Sequence, residues 1–316
     1  MICSFGQDQQ DTSASNRERR IVLDCRIVNK NYNTTRAKSK TFAIRNPSQK
    51  RNRSDTCAEF QMMFVPYVCC GDPSIEFSTK LIKVLAKHAD IIELGIPFSD
   101  PIADGKTIQM AANRALANGV NIEKIFDMVA TLRNDDGIIV PFVFMTYYNI
   151  VYAYGREKFL KKMKKVGVQG LIIPDLPFGE DKEFEEMAEE NGICIIGLIT
   201  RNTTDERAGK ILAAHGSNMF TYLVSISGVT GARDGVDNES IEFVKRIRKL
   251  AGSEKKLCVG FGISKKEQAE LYCKAGADGI IVGSALIEIY SKHVCVDSID
   301  KGNSLKEIEV FCSICL

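Results

Sequence analysis

A closed (β/α)8 barrel of the TIM type, preceded by a largely disordered N-terminal extension, is the fold class that three features of the sequence predict. Short apolar runs alternate with helical patterns eight times between Met63 and Tyr290. The runs are apolar on both faces and bounded by glycine, as strands buried in a parallel sheet are. The 228 residues from Met63 to Tyr290 agree with the ~250 typical of such a barrel. A doubly wound open sheet is the runner-up.

The elements follow in order. Phe64 to Cys69 is the first strand, and Gly71-Asp72-Pro73 opens a helix with Asp72 as N-cap and Pro73 in the first turn. Phe77, Leu81, Val84 and Leu85 give that helix one apolar face. The second strand ends at Glu93, and helices follow over Thr107–Ala117 and Ile122–Leu132. Val140 to Thr146 is the third strand, with Phe159, Leu160 and Met163 marking its helix. Leu171 to Ile173 is the fourth, followed by a helix near Glu180–Glu190; Cys194 to Ile199 is the fifth, and Thr203-x-x-Glu206 reads as a capping box. Phe220 to Val224 is the sixth, with Ile241, Val244, Ile247 and Leu250 on its helix. Leu257 to Val259 is the seventh, followed by a second capping box at Ser264-x-x-Glu267. Ile280 to Val282 is the eighth, and a last helix begins near Ala285. The barrel domain is thus placed in residues 62–316.

Residues 1–61 read differently. They are rich in Asn, Ser, Thr, Gln and Arg and lack a periodic apolar pattern. Residues 1–60 hold 12 Lys+Arg against 6 Asp+Glu, whereas the remainder holds 30 against 34. Three readings compete: a solvated tail, a targeting peptide, or translation from a start upstream of Met62 or Met63. The acids Asp8 and Asp11 weigh against a transit peptide.

Composition bounds the function. A hydrophobic content of 45% with 26% charged residues is that of a globular protein. No apolar run reaches the ~18–20 residues of a membrane span, and no secretory signal is evident, so a cytoplasmic location is expected. Eleven cysteines, an odd number, suit free thiols in a reducing compartment. Cys69-Cys70 and Cys312-x-x-Cys315 raise metal or redox chemistry, but with three histidines and no second cysteine pair at zinc spacing no metal site is expected. A net charge of +2 argues against nucleic acid as the main partner.

The chemistry concentrates after the second strand, in the segment running from Asp90 through Glu93 and Asp100 to Asp104 and Gly105. A carboxylate at a buried strand end loses solvation, its pKa rises, and it becomes able to act as a general acid near neutral pH. A structural carboxylate paired with a neighbour is the equally weighted alternative at this point. Three glycine clusters follow the last three strands: Ser227 to Gly231, Gly260-Phe261-Gly262, and Gly283-Ser284. Glycine lets backbone N–H groups approach an anion, and barrels commonly hold phosphate after strands seven and eight. Plain turns are the alternative.

The segment from Glu93 to Gly105 closely resembles the signature of the tryptophan synthase alpha subunit family, an indole-3-glycerol-phosphate lyase. Phe64-Val-Pro-Tyr-Val, Gly71-Asp-Pro, Met145-Thr-Tyr-Tyr-Asn149, Asp175-Leu-Pro, Gly228-Val-Thr-Gly231, Gly260-Phe-Gly-Ile-Ser264 and Gly283-Ser-Ala285 match in the family's order. The resemblance covers Met63 to Tyr290, and its wording is closer to archaeal members. It implies retro-aldol cleavage of indole-3-glycerol phosphate to indole and glyceraldehyde 3-phosphate, in tryptophan biosynthesis, with no cofactor in this chain. It further implies Glu93 as general acid and base, and Asp104 as acceptor of the indole N–H. Tyr67, Met145, Ile172, Tyr222 and Phe261 would line the indole pocket. Thr230 would lie in a loop that closes the site, and Gly231, Gly262, Gly283 and Ser284 would hold the phosphate. The implied partner is a beta subunit carrying pyridoxal phosphate, in an alpha2beta2 tetramer, with Asp100, Pro101, Asn149 and Asp175 at or near the contact. Ordinary loop chemistry is the competing reading for these four.

Departures from the family pattern are Ser225-Ile226-Ser227, where many members carry Arg; Arg201, where Pro is common; and the lack of an evident helix over Asn46–Gln61. The competing functions are another phosphate-binding barrel lyase or isomerase, and a non-catalytic subunit that activates a partner. Glu93 with Asp104 on one loop speaks against both.

Overall fold

The computed structural model describes residues 62–214, 219–224, 236–294 and 301–315, with the side chains of 301, 314 and 315 excepted. The predicted extension, Thr230, Gly231 and the Ser225–Ser227 departure lie outside the described residues.

Each predicted strand is present, shifted by a residue or two: β1 (Met63–Cys69), β2 (Ile92–Gly95), β3 (Phe142–Met145), β4 (Gly170–Ile172), β5 (Cys194–Ile195), β6 (Leu198–Thr200), β7 (Thr221–Val224), β8 (Leu257–Gly260) and β9 (Gly279–Val282). All pairings are parallel, in the order β5-β4-β3-β2-β1-β9-β8-β7-β6. The predicted fifth strand, Cys194 to Ile199, is broken into β5 and β6. Its two halves serve different neighbours. The Ile196 amide donates to Leu171 O at 2.9 Å, and Gly197 O accepts from the Tyr222 amide at 2.9 Å. The ring therefore closes through one chain segment, and the nine strands form the predicted eight-membered barrel.

The helices are α1 (Ile75–Leu85), α2 (Lys106–Ala117), α3 (Ile122–Asn134), α4 (Tyr148–Tyr154), α5 (Arg156–Val166), α6 (Lys182–Glu190), α7 (Asp205–Ala214), α8 (Asn238–Ala251), α9 (Lys266–Lys274), α10 (Ser284–Ser291) and α11 (Lys301–Cys315). α4 and α11 were not read from the sequence. α11 packs on α1, α9 and α10 through buried Ser304, Ile308 and Cys312, and Lys87 pairs with Glu309 at 3.0 Å.

Strand side chains alternate between two apolar layers. Val65, Ile91, Val143, Ile172, Ile196, Phe220, Cys258 and Ile281 fill the barrel interior. Phe64, Leu94, Phe144, Leu171, Leu223 and Val259 face the helices. This two-sided burial is why the strands read as continuous apolar runs.

Several caps differ from expectation. Ser74, not Asp72, caps α1, its side chain accepting from the Phe77 amide at 3.1 Å; Asp72 is drawn inward by other partners. Thr204, not Thr203, caps α7 by accepting from the Arg207 amide at 3.3 Å, because Thr203 Oγ1 is engaged by the Thr200 amide. At α9 the reciprocal acceptor is Gln268 rather than Glu267, receiving the Ser264 and Lys265 amides at 2.9 and 3.1 Å. Leu250 is exposed, and Phe243 takes its place in the buried face of α8.

Two arginines pin the end of the barrel where the strands begin. Arg133, in the last turn of α3, donates to the carbonyls of Gly167, Ile138 and Val140 at 3.0, 2.7 and 2.7 Å and to Gln169 Oε1 at 3.2 Å. Gln169 Oε1 also accepts the Phe142 amide at 2.9 Å. Arg248, in the last turn of α8, donates to the carbonyls of Gly276, Gly252 and Lys255 at 2.7, 2.6 and 2.9 Å and pairs with Asp278. Asp278 in turn accepts the Leu257 amide at 2.8 Å. Asp90 performs the same service for the Phe64 amide at 2.9 Å.

Candidate active site

Glu93 stands on β2 opposite Tyr67 of β1 and Val143 of β3. It shares its face of the strand with Ile91, an interior residue, so strand alternation aims its side chain into the barrel. The residue is 1% exposed, and its Oε2 has no hydrogen-bond partner among the described residues. Burial first, and the charge of Asp104 second, push the carboxyl up from 4.5 to about 8.

Asp104 sits on the loop that leaves β2, one residue before the glycine that starts α2. Its Oδ2 accepts from Tyr147 Oη at 3.0 Å, and the same phenol oxygen accepts the Ala103 amide at 3.0 Å. Gln109 Nε2 donates to its carbonyl at 2.8 Å. Burial raises this carboxyl from 3.8 to about 6, and the tyrosine hydrogen bond opposes the rise. Glu93 holds its proton to higher pH, so Asp104 ionises beside a neutral neighbour. At pH 7 one acid is protonated and the other is an anion, which is the division of labour that proton donation with cation stabilisation needs.

Around the pair lies an aromatic frame. The Tyr67 ring lies over Gly95, where a Cβ would meet the phenol oxygen at 2.1 Å. Tyr222 lies over Gly260 in the same way, with its ring and hydroxyl 2.5 Å from the place of a Cβ. These two glycines make room for the rings. Burial raises both phenols well above their usual value, and neighbouring charges, Cys69 first at Tyr67 and Glu93 first at Tyr222, raise them further. Met145 and Ile172 are paired across β3 and β4, with Ile172 in the interior layer. Phe261 stands differently: its ring packs on Tyr272 at 5.1 Å and Phe243 at 6.1 Å, on the helix side of the sheet.

Of the anticipated phosphate residues, Gly262 takes a left-handed φ of 68°. Gly283 begins α10 without a side-chain cap, next to buried Ser284. A Cβ on Gly283 would lie 3.2 Å from Tyr67 Cβ, so this helix end adjoins the aromatic frame. Asp100 and Pro101 lie on the β2 loop, and Asn149 lies in the first turn of α4; Asp175 Oδ1 accepts the Tyr148 amide at 2.9 Å. Asp100, Asn149 and Asp175 are exposed, as is Ile102 at 85%.

Tyr147 was missed by the sequence reading, although the Met-Thr-Tyr-Tyr-Asn segment was singled out. Nothing in the spacing tells which of two adjacent tyrosines reaches back to a loop on the neighbouring strand. Here it is the first, fixed by stacking on Phe98 at 4.9 Å. Arg201 also has a role: it donates to Asp237, Glu239 and Ser240 at 3.0, 2.8 and 2.9 Å, tying the β6 loop to the start of α8.

No helix among the described residues is long and apolar enough to cross a membrane. Comparison with known proteins gives the family. A family model described as tryptophan synthase alpha chain matches residues 54–313. The tryptophan synthase alpha chain of Methanocaldococcus jannaschii is 46% identical over 248 residues, covering 78% of this chain and 84% of that one. That of Methanosarcina mazei is 49% identical over 226 residues, covering 71% and 80%. Among solved structures, the tryptophan synthase complex of Pyrococcus furiosus aligns with a TM-score of 0.71 at 36% identity, covering 80% of this chain and 97% of that one. The a2b2 complex of the same organism aligns equally, at 0.71 and 36%.

Proposed function

The chain belongs to the tryptophan synthase alpha chain family, and on that premise we propose that its Glu93 and Asp104 cleave indole-3-glycerol phosphate to indole and glyceraldehyde 3-phosphate. It is a lyase of tryptophan biosynthesis. The observation that carries the assignment of the acid is the buried Glu93 carboxyl, with one oxygen lacking a partner among the described residues and a pKa of about 8 beside an ionised Asp104.

The step follows from those states. Glu93 gives its proton to the indole carbon that bears the glycerol chain. The ring becomes an indolenine with positive charge on its N–H nitrogen, and the Asp104 carboxylate accepts that N–H. The Glu93 carboxylate then takes the proton of the glycerol hydroxyl next to the ring. The O–H electrons form the aldehyde C=O, the carbon–carbon bond breaks, and its electron pair returns to the ring, neutralising the nitrogen. Indole leaves, and Glu93 ends protonated. Tyr147 orients Asp104; Tyr67, Met145, Ile172 and Tyr222 form the indole pocket, with Phe261 on the helix side of the sheet behind it. Gly231, Gly262, Gly283 and Ser284 hold the phosphate through backbone N–H groups and the field at the start of α10. Thr230 is assigned to substrate binding on the family resemblance, and exclusion of water by the bound substrate strengthens both carboxylate interactions.

The partner is a beta subunit, in an alpha2beta2 assembly, contacted through Asp100, Pro101, Asn149 and Asp175; their common position at the C-terminal ends of β2 to β4 supports this. Pyridoxal phosphate belongs to that partner, and no step assigned to this chain passes through it. Residues 62–316 form the catalytic domain and 1–61 an extension, a division supported by the docking of α11 on α1 and α10. The location is cytoplasmic. The test is indole release from indole-3-glycerol phosphate by the full-length chain, with and without a beta subunit. Release by the chain alone, accelerated by the partner, is expected; no release in either case would overturn the assignment.

A further inference from the structure

Asp72 is fully buried, and three groups from two helices converge on it. Arg114 of α2 donates from Nε to Oδ1 and from Nη2 to Oδ2, both at 2.8 Å. Tyr290 of α10 donates to Oδ2 at 2.6 Å. The turn holding Asp72 is itself fixed. The Gly71 amide donates to Ser78 Oγ at 2.9 Å, and Asn118 Nδ2 donates to Pro73 O at 2.7 Å. Gly71 takes a φ of 84°, and any side chain there would strike Val120.

The two helices that meet at this carboxylate begin at the two ends of the substrate. α2 starts just after Asp104, whose carbonyl is held by Gln109 in its first turn. α10 starts at Gly283 and Ser284. A second tie joins the same helices near their starts, where Thr107 donates to Glu288 at 3.4 Å, and Arg114 also reaches Ser291 Oγ at 3.1 Å.

We infer that Asp72 is a positioning residue: by binding Arg114 and Tyr290 together it fixes the distance between the Asp104 end and the phosphate end of the site. This rests on the lyase reading above. A ligand that bridges two subsites gains its affinity only when their spacing matches its length, whereas a ligand filling one subsite is indifferent to that spacing. Displacement of a reacting group by about 1 Å can cost ~100-fold in rate. A carboxylate that merely stabilised the fold would alter neither relation in a folded protein.

Calorimetry on the full-length chain separates the cases, using glycerol 3-phosphate, which occupies the α10 end alone, and an indole propyl phosphate, which spans both ends and has no hydroxyl to react. For Asp72→Asn, glycerol 3-phosphate is expected to bind within about twofold of the unaltered chain, the spanning ligand about tenfold more weakly, and indole release to fall about tenfold. Tyr290→Phe, which removes one hydroxyl, should show the same pattern at about threefold. A folded variant that keeps both affinities and its rate, or weakens both ligands equally, overturns the inference. If Asp72→Asn does not fold, Tyr290→Phe decides on the same criteria. If the unaltered chain binds the spanning ligand no better than glycerol 3-phosphate, the indole subsite and the lyase reading fail, and this inference falls with them.

Discussion

Arg133 and Glu93 are both buried, and they lie at opposite ends of the barrel. Every direction in which Arg133 can donate toward the turns around it is used, by three carbonyls and one amide oxygen, with Phe142 beneath the guanidinium at 3.8 Å. Glu93 keeps an oxygen without a partner among the described residues. A buried polar group left unmatched costs free energy. At Arg133 that cost is avoided by pairing with four acceptors; at Glu93 it is retained, and it supplies a carboxyl that is still protonated at pH 7. The difference separates residues that hold the barrel from residues that act in it.

The sharpest way to test this contrast is Glu93→Gln. Indole release should fall ~10²–10⁴-fold, since an amide cannot deliver the proton, while glycerol 3-phosphate binding in a calorimeter stays unchanged. The same variant should melt higher than the unaltered chain in alkaline buffer. Because the folded pKa is raised, stability from this group is fully present below about 4.5 and is lost as pH rises through about 8. The melting difference should therefore grow across that window and level off above it; a difference independent of pH would contradict the raised pKa.

Asp104→Asn comes next. The loss should approach ~10²-fold, because a neutral amide stabilises a cationic nitrogen less well. In the unaltered chain kcat/KM should rise with pH through about 6, where Asp104 ionises, and decline through about 8, where Glu93 loses its proton. The Asn variant should lose the rising limb and keep the falling one.

Gly283→Asp should weaken glycerol 3-phosphate binding by about tenfold or more, placing a carboxylate against the phosphate at a helix start that favours anions. Equal affinity in both proteins would remove this loop from the site.

At the other end the expectation inverts. Arg133→Met should lower unfolding stability by roughly 3 kcal/mol, leaving buried carbonyls without a donor, and leave kcat of the folded protein unchanged. Arg248→Met should cost less, because its side chain is 23% exposed and water can replace it. Denaturant titration with a parallel indole assay checks both. A chain beginning at Met62 should show the smallest effect and retain lyase activity. A loss of more than about 10 °C in Tm, where ~1 kcal/mol moves a domain of this size by ~2–4 °C, would show that the extension supports the barrel.

The barrel was legible in the sequence because its strands are buried on both faces, which leaves apolar runs such as Leu171-Ile172-Ile173 that no amphipathic helix produces. Glu93 was legible as an acid in one of those runs. What was not legible depends on contacts between distant segments. Asp72 before Pro73 has the local chemistry of a helix cap, and only Arg114 and Tyr290, far along the chain, take it away from that role. The break in the fifth strand at Gly197 follows from pairing with different strands on its two sides. α11 carries a weak apolar pattern, since only Ser304, Ile308 and Cys312 of its described side chains are buried, and α4 is only seven residues long.

The two arginine pins have a wider meaning. They occupy matching places four strands apart in the ring: α3 before β3 and Gln169 before β4 on one side, α8 before β8 and Asp278 before β9 on the other. The ladder register extends the match, pairing Val143 with Gly170 as it pairs Cys258 with Gly279. Carried one strand further, it sets Glu93 in the place that Tyr222 holds in the other half. At these positions the two sides of the ring share a framework, and their chemistry differs. One side carries the acid; the other carries a phenol at the matching address and glycines at the positions matching Met145 and Pro174. A substrate with a basic carbon at one end and a phosphate at the other has no symmetry of its own, and an acid on one side facing a phenol and glycines on the other lets the ring bind it in a single direction.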